Sequence, residues 1–466
     1  MQMKRINILP DEVLLEIFDF YVIMNLLYGH KAEIQAWQLL VHVCRRWRNV
    51  VYASPRRLNL RLVCTPGTPA RTLDIWPPLA LVVRGFMGSE SLGGRVCADN
   101  IIAALGKNNR VHEIYLWHLA GRQLENVLAA MQVPFPELTD LQLSISPTRE
   151  TTSAIPDSFL DGSAPRLRHF FLHRILFPAM PKLLLSTIHL ESLSLSRISH
   201  STHTSPKAMV AIISVLSNLR TLSLQFEYAH SLPDWGSRSL PPPKHSILPA
   251  LNYFRFKGFN EYLEDLVTFI DAPQLDEMYV AFFYIRDQIG HNCPRLAQFI
   301  DRAPKLSKRD EARVEFDVAD ICVRFAGFGT LQILISCTDR DREASAIAQV
   351  CNSSLPSTVE NLYIMKASRL SWWNILIEDA LWLRLLLPFT AVKNLYLCEG
   401  FAPDIAAAMK ELTGARMTEV LPSLRNIFVE RLAELSEAFQ ESIVDFVSTR
   451  QRLSGHPMAI SDWEES

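Results

Sequence analysis

Residues 392–397 read V-K-N-L-Y-L, with an apolar residue at the first, fourth and sixth positions and variable residues between them. The same pattern begins ten times in the 466-residue chain, at positions 111, 138, 167, 190, 219, 251, 275, 359, 392 and 424. The alternation in its second half is typical of a strand with one buried face. Successive copies start 23 to 33 residues apart, except across 275–359, so each copy leaves room for one strand and one return segment.

This spacing resembles that of leucine-rich repeats. The resemblance implies an α/β fold, a curved solenoid of stacked strand–helix repeats. One helical return is explicit at 205–216, where Ser205 can cap a helix that begins at Pro206. The repeat lengths are uneven, so we expect an irregular leucine-rich-repeat-like solenoid. Residues 284–356 carry no clear copy, and the strand-like stretches there predict either a hairpin insertion or degenerate repeats.

Side chains alternate along a strand, so the residue between the last two apolar positions should face the open side of the sheet. These residues are Tyr115, Gln142, Phe171, Ser194, Ser223, Arg255, Tyr279, Tyr363, Tyr396 and Phe428. Six of the ten are aromatic, and aromatic residues dominate interface hot spots. We therefore expect an unknown protein substrate to bind at Tyr115, Phe171, Arg255, Tyr279, Tyr363, Tyr396 and Phe428. The alternative is that aromatic residues simply suit strands, or that a loop or the C-terminal tail covers them.

The N-terminal region has a different, helical periodicity. Leu9-Pro10-Asp11-Glu12 predicts a helix start, because proline suits the first helical position and acids complement the dipole. Apolar residues then recur at helical spacing at 14, 17, 18 and 21. A second apolar stripe on one helix is predicted through Leu40, Val43, Cys44, Trp47 and Val51.

The stretch V-C-R-R-W-R-N-V-V at 43–51 leaves two interpretations open. Arginines around a tryptophan could bind nucleic acid, or the stretch could be an amphipathic helix with a basic, solvated side. The net charge of −2 and the pI near 6.7 argue against nucleic acid as the main partner. We expect Trp47 to lie with the apolar stripe while Arg45, Arg46 and Arg48 face solvent.

L-P-D-E-V-L-L-E-I-F, followed by W-Q-L-L-V-H-V-C-R-R-W-R-N-V-V, resembles the two most specific segments of an F-box. The C-terminal stretches W-L-R-L-L-L-P-F-T-A-V-K-N-L-Y-L and L-P-S-L-R-N-I-F-V-E are similar to the ends of an expanded group of fungal F-box proteins. The resemblance implies binding to the Skp-type adaptor and cullin scaffold of an SCF-type ubiquitin ligase. It places the adaptor contact at Leu9, Pro10, Val13, Leu14, Ile17, Phe18, Leu40, Val43, Cys44 and Trp47. The segment between Phe18 and Trp37 is longer than the usual F-box connection, which could leave the interface intact or weaken docking.

Four regions are expected: an F-box at 1–62, a linker and solenoid cap at 63–110, the solenoid at 111–432, and a C-terminal helical cap and tail at 433–466. No nucleotide-binding, hydrolase or metalloprotease motif is present, so we expect a non-catalytic adaptor without metal or cofactor. The alternative is a repeat scaffold that does not engage a ligase. The eight scattered cysteines indicate a reducing compartment, and we expect a protein of the cytoplasm or nucleus with no membrane partner.

Overall fold

The structure is a computed structural model. It describes residues 9–28, 36–69, 71–86, 94–146, 154–176, 182–198, 205–227, 245–283, 293–317, 320–336, 355–366, 379–412 and 416–464. The chain divides into two compact units, Met1–Leu190 and Glu191–Ser466. The region boundaries expected at 62, 110 and 432 remain predictions.

The first unit begins with helices and continues into a parallel sheet. Its helices are α1 (Asp11–Tyr28), α2 (Ala36–Val43), α3 (Arg45–Ala53), α4 (Thr72–Ile75), α5 (Gly94–Leu105), α6 (Gly121–Ala130) and α7 (Lys182–Ser186). Its strands are β1 (Arg61–Cys64), β2 (Ala80–Phe86), β3 (Val111–Leu119), β4 (Asp140–Ile145) and β5 (His169–His173). These strands pair in sequence order, each parallel to the next, which is the arrangement expected of stacked repeats.

The second unit is built mainly from strands with helical returns. Its strands are β6 (Ser192–Ile198), β7 (Thr221–Phe226), β8 (Ser246–Ile247), β9 (Tyr253–Gly258), β10 (Ile270–Asp271), β11 (Glu277–Phe283), β12 (Arg309–Phe316), β13 (Asp320–Gly327), β14 (Thr330–Ser336), β15 (Asn361–Lys366), β16 (Asn394–Leu397), β17 (Asn426–Glu430) and β18 (Ala459–Trp463). Its helices are α8 (Pro206–Ile213), α9 (Asn260–Val267), α10 (Pro294–Asp301), α11 (Pro304–Ser307), α12 (Asp379–Leu386), α13 (Ala402–Lys410), α14 (Arg416–Glu419) and α15 (Glu437–Ser454). The strand order is β6-β7-β9-β11-β14-β13-β12-β15-β16-β17-β18, and β8 pairs separately with β10.

The region without a clear repeat forms an antiparallel insertion in this sheet. β13 pairs antiparallel with both β12 and β14, while β14 runs parallel to β11 and β12 runs parallel to β15. An odd number of strands restores the original direction, so the parallel repeats continue on the far side. Antiparallel strands need only short turns, whereas parallel strands need long crossovers. That difference explains why the repeat pattern is lost here although the sheet continues.

The apolar positions of the repeated pattern form the core. Leu222 and Leu224 of β7 are fully buried, and Met209 and Ile212 of α8 are buried with them. The Ser205 side chain accepts a hydrogen bond from the Ala208 backbone N–H at 3.3 Å, and the helix begins at Pro206 as predicted. The predicted α/β architecture of parallel strand–helix repeats is confirmed within each unit.

Candidate functional site

The two motif segments at the N-terminus fold onto one small hydrophobic core. Leu14 and Phe18 from the first segment are 1% and 0% exposed, and Leu40 from the second is 6% exposed. Trp47 lies against Phe18 with the two ring centroids 4.7 Å apart. Trp37 is also in this core, and its Nε1–H donates to the carbonyl of Arg61 at 3.0 Å. Helices α1, α2 and α3 therefore depend on one another for burial of their apolar side chains.

The single helix predicted through residues 40–51 is wrong. The chain breaks at Cys44, which is extended (φ −159°, ψ 169°) and caps α3, because its Sγ accepts from the Trp47 backbone N–H at 3.4 Å. The break turns Val43 away from the predicted stripe, and its side chain is 59% exposed. Trp47 remains with the apolar set, partly buried, as the sequence predicted.

Two of the three arginines of V-C-R-R-W-R, Arg45 and Arg48, are exposed as predicted, whereas Arg46 is partly buried. Arg46 donates through Nε to the Asp11 carboxylate at 3.0 Å and through Nη2 to the Leu9 carbonyl. Arg48 donates through Nε to the Val41 carbonyl at 3.0 Å, and the Arg45 side chain is exposed. Arg46 thus joins α3 to the start of α1, which gives this basic residue a structural role that the sequence interpretation missed.

Among the side chains of α1 and α2 that the structure describes, five large apolar ones are exposed to solvent. We call them the exposed apolar set: Val13, Ile17, Phe20, Leu39 and Val43, with exposures of 41%, 47%, 66%, 48% and 59%. The members on α1 follow at i, i+4 and i+7 and those on α2 at i and i+4, so each helix carries its members on one side. Apolar surface that recurs on one side of a helix is typical of a partner contact.

The predicted adaptor residues fall into three groups, which are exposed, buried in the core or partly buried. Val13, Ile17 and Val43 belong to the exposed apolar set, and Pro10 is also exposed. Leu14, Phe18 and Leu40 lie in the core, while Leu9, Cys44 and Trp47 are partly buried. Phe20 and Leu39 were not predicted, although helical spacing from Val13 and Val43 could have found them.

The lengthened connection between the two segments continues the first helix. α1 is 18 residues long and ends at Tyr28, and residues 29–35 lie outside the described part of the chain. Phe18, Leu40 and Val41 still belong to one core across this connection.

A column of aromatic side chains follows neighbouring strands near the C-terminus of the second unit. Tyr363 of β15, Tyr396 of β16 and Phe428 of β17 are register partners on the open side of the sheet. The ring centroids of Tyr363 and Tyr396 are 4.2 Å apart and those of Tyr396 and Phe428 are 4.5 Å apart, with planes within 9° of parallel. The Arg313 guanidinium carbon lies 4.8 Å from the Tyr363 centroid and extends the column by one strand. Burial and the neighbouring tyrosine raise the pKa of Tyr363 to about 12.

Trp463 of β18 covers part of this column. Its ring meets Tyr396 at 5.4 Å and Tyr363 at 6.0 Å, nearly perpendicular to both, and its Nε1–H donates to the Leu397 carbonyl at 3.3 Å. The stacked rings of Tyr363 and Tyr396 therefore meet one ring, Trp463, that lies nearly perpendicular to them. Trp463 was not among the predicted residues, because the final residues were expected to form a tail and no repeat pattern marks β18.

A ladder of amides runs beside the aromatic column. Asn394 donates through Nδ2 to Asn361 Oδ1 at 2.7 Å, and Asn426 donates to Asn394 Oδ1 at 2.7 Å. These residues precede Tyr363, Tyr396 and Phe428 by two positions and so share their side of the sheet. The ladder gives the amide side chains beside the rings hydrogen-bond partners and aligns the three strands.

The cations in the same row differ in their partners. Arg313 pairs with Glu311 at 2.7 Å and Arg324 pairs with Glu315 at 3.2 Å, both within the antiparallel insertion. Arg255 of β9 lies over the Tyr279 ring at 4.6 Å, and no carboxylate of the described residues pairs with it. The Arg255 Nε is buried without a hydrogen-bond partner among these residues.

Tyr115 and Phe171, the two predicted substrate residues of the first unit, lie two strands apart. Tyr115 pairs with Gln142, which pairs with Phe171, and the Arg84 guanidinium lies 5.2 Å from the Tyr115 ring centroid. An open groove of about 560 Å³ borders Tyr115 and is lined by Thr65, Pro66, Arg84, Gly85, Phe86, Tyr115 and Trp117. Phe171 contacts Trp117 with centroids 5.3 Å apart, so the two predicted residues are linked through a residue that was not predicted.

The described residues hold no group of three or more metal-ligating side chains. Nδ1 of His169 lies 2.7 Å from the Asp140 carboxylate. Cys64, Cys293, Cys322 and Cys398 are buried free thiols, and burial raises the pKa of Cys64 to about 11. In the described ranges, helices with both the length and the hydropathy of a membrane span are absent.

No protein-family model and no curated protein matches this chain. Solved structures with similarity include a chain of the crystal structure of the Rad7 and Elc1 complex in yeast, at 16% sequence identity and a TM-score of 0.30. The similarity covers 92% of this chain and 90% of that chain. At this TM-score the likeness assigns neither a fold nor a function, so the resemblance to F-box proteins rests on the residues quoted from the sequence.

Proposed function

We propose that this protein is the substrate-recognition subunit of an SCF-type ubiquitin ligase. Helices α1–α3 bind the Skp-type adaptor, which connects to the cullin scaffold, and the repeat strands bind a target protein. The protein itself is not catalytic. It acts by proximity, because a target held close to a charged ubiquitin carrier has a raised effective concentration.

One observation carries the proposal. The two F-box-like segments lie in one core across a lengthened connection, with Phe18 against Trp47, and they leave the exposed apolar set on α1 and α2. A core of this size buries little apolar area, and the exposed side chains add a contact that a partner would bury. A partner that covers them gains roughly 25 cal/mol for each Å² of apolar surface removed from water.

The proposal assigns separate tasks to the exposed and buried residues. Val13, Ile17 and Val43 contact the adaptor directly, together with Pro10, Phe20 and Leu39. Leu14, Phe18, Leu40 and Trp47 hold the helices in the arrangement that presents this contact. Cys44 and Arg46 fix the start of α3 and its distance from the Leu-Pro segment.

The test is capture of the purified Skp-type adaptor by the full-length chain. Ile17→Asp with Val43→Asp should reduce adaptor affinity by a factor of about 30 or more, since two charges would have to enter an apolar contact. Leu9→Ala with Pro10→Ala should also weaken capture. Val444→Asp is the matched control, because Val444 lies on α15 with a similar exposure of 54%.

Absence of capture by the wild-type chain would contradict the ligase role and favour the repeat-scaffold alternative. Capture that is unchanged by Ile17→Asp with Val43→Asp would place the contact elsewhere. Circular dichroism of Ile17→Asp with Val43→Asp and of Val444→Asp should match the wild type, because these side chains are already largely in water.

A further inference from the structure

The open side of the second unit carries two chemically different binding positions in one row of register partners. At one end of this row, Arg255 and Lys257 project from β9, the third strand in the strand order of the unit. At the other end lies the aromatic column with Trp463. Between them lie the antiparallel strands of the insertion, which present Arg324 and Arg313 in the same row.

The cations of this row are neutralised inside the chain except at β9. Arg313 and Arg324 have carboxylate partners on the insertion itself, Glu311 and Glu315. Neither Arg255 nor Lys257 pairs with a carboxylate among the described residues, and a buried Arg255 Nε lacks any acceptor there. The charge of this guanidinium therefore has no counter-ion among these residues, and a bound anion would supply one.

The surroundings of Arg255 suit an anionic oxygen. The Tyr279 ring lies against the guanidinium at 4.6 Å and limits the directions from which an acceptor can approach it. On the neighbouring strand β7, Gln225 donates through Nε2 to the Ser223 hydroxyl oxygen at 3.1 Å, and Ser223 is the register partner of Arg255. Arginine and lysine side by side with a hydroxyl nearby are typical of sites for carboxylate or phosphate groups.

The separation of the two positions defines the length of a ligand. β9 and β15 are five steps apart in the strand order, and strands in a sheet are about 4.8 Å apart, which gives about 24 Å. An extended peptide advances about 3.4 Å per residue, so about seven residues span this distance.

We propose that this row binds an extended segment of a target protein, with an anionic side chain at Arg255 and Lys257 and a large apolar side chain at Tyr363, Tyr396 and Trp463. The two anchors lie about seven residues apart in the segment. The anion is the carboxylate of an acidic residue or the phosphate of a modified one. The proposal rests on the proposed function for its biological meaning, but its binding surface does not involve α1–α3.

The first test uses a library of random 16-residue peptides displayed on phage and selected on the full-length chain. Sequences enriched by the wild type should combine an acidic residue with an aromatic or large aliphatic residue about seven positions away. Selection on Arg255→Gln with Lys257→Gln should lose the acidic preference and keep the apolar one. Arg295→Gln is the matched control, because Arg295 lies on α10 outside this row and already has Asp265 as its partner.

The second test distinguishes the two sources of the anion. The best enriched peptide is synthesised with glutamate, with phosphoserine and with serine at the anionic position, and its affinity is measured by fluorescence anisotropy at two salt concentrations. The better anion should bind on the order of tenfold more tightly than serine, and the double variant should remove this difference and its salt dependence.

Several experimental outcomes would contradict this proposal without affecting the proposed function. No enrichment by the wild type, no preferred spacing, or an acidic preference retained by the double variant would overturn it. Displacement of the peptide by a single-stranded oligonucleotide at equal affinity would overturn it in favour of a nucleic-acid ligand. Adaptor capture is measured separately and should be unchanged in Arg255→Gln with Lys257→Gln, so either result can fail without the other.

Discussion

The exposed apolar set on α1 and α2 and the aromatic column of the second unit differ in how far their apolar side chains are exposed to solvent. On α1 and α2 the exposed apolar set stands in water, and Val43 and Phe20 are 59% and 66% exposed. In the column, Tyr363, Tyr396 and Phe428 cover one another and Trp463 covers two of them, so each ring is partly buried. The first surface gains free energy only when a partner arrives, whereas the second already gains part of it within the chain.

This difference separates the tasks of the two surfaces. Substitution of surface side chains that do not contact one another should leave stability unchanged. Such variants should therefore change binding alone. A surface in which the side chains stack on one another contributes to both stability and binding, so its variants change both. The following substitutions test that separation.

The largest effect is expected for Phe18→Ala. Phe18 is fully buried against Trp47, and truncation of a buried phenylalanine costs about 3–5 kcal/mol through lost contacts and a cavity. Amide hydrogen exchange in α1–α3 should become much faster, and adaptor capture should fall with it. Ile17→Ala at the solvent-exposed side of the same helix should change exchange little, within about 0.5 kcal/mol. Equal effects of the two substitutions would contradict the division between core and contact.

Tyr396→Ala should have the next largest effect. Tyr396 is the central ring of the column and loses contacts with Tyr363, Phe428 and Trp463 together. Aromatic pairs contribute about 0.5–1.5 kcal/mol each, so the loss of three pairs should destabilise β15–β17 by about 1.5–4.5 kcal/mol in local exchange. Tyr396→Phe keeps the ring and serves as the control. A stable Tyr396→Ala variant would show that the column contributes no stability and serves binding alone.

A smaller effect is expected when the link between α3 and the chain start is removed. Arg46→Gln breaks the ion pair with Asp11 and weakens the hydrogen bond to the Leu9 carbonyl. Because both side chains are partly solvent-exposed, the loss should be about 0.5–1 kcal/mol. A double-mutant cycle with Asp11→Asn, followed by hydrogen exchange in α1 and α3, gives the coupling energy. No coupling at low salt would show that the pair does not join the two segments.

The sequence predicted the repeated strands well because the apolar positions of their pattern are the positions that become buried. Leu395 and Leu397 are buried and Tyr396 between them faces the open side, as alternation requires. The row of Tyr363, Tyr396 and Phe428 therefore follows from the repeated pattern alone. The position of Trp463 does not, because β18 (A-I-S-D-W) lacks the repeated apolar pattern and its place beside β17 is set by long-range pairing.

The N-terminal helices show where periodicity alone fails. Val43, Cys44 and Trp47 have helical spacing, yet the chain turns at Cys44, whose side chain caps the next helix. Helical spacing continues across such a break, so the sequence pattern cannot reveal it. The division of apolar residues into core and exposed sets also depends on how α1, α2 and α3 meet, which is a tertiary property.

The smallest effect concerns the ionisation of Tyr363 inside the column. Burial and the Tyr396 neighbour raise its pKa from 10.0 to about 12, so the folded chain holds this proton more tightly than the unfolded chain. A raised pKa contributes stability that is fully present below pH 10 and is lost as the pH rises through about 12. The difference in ultraviolet absorbance between the wild type and Tyr363→Phe should therefore show one phenol titrating near pH 12. Titration of that phenol near its ordinary pKa of about 10 would mean that the ring is solvated, and the column would then be as open to a partner as the helices are.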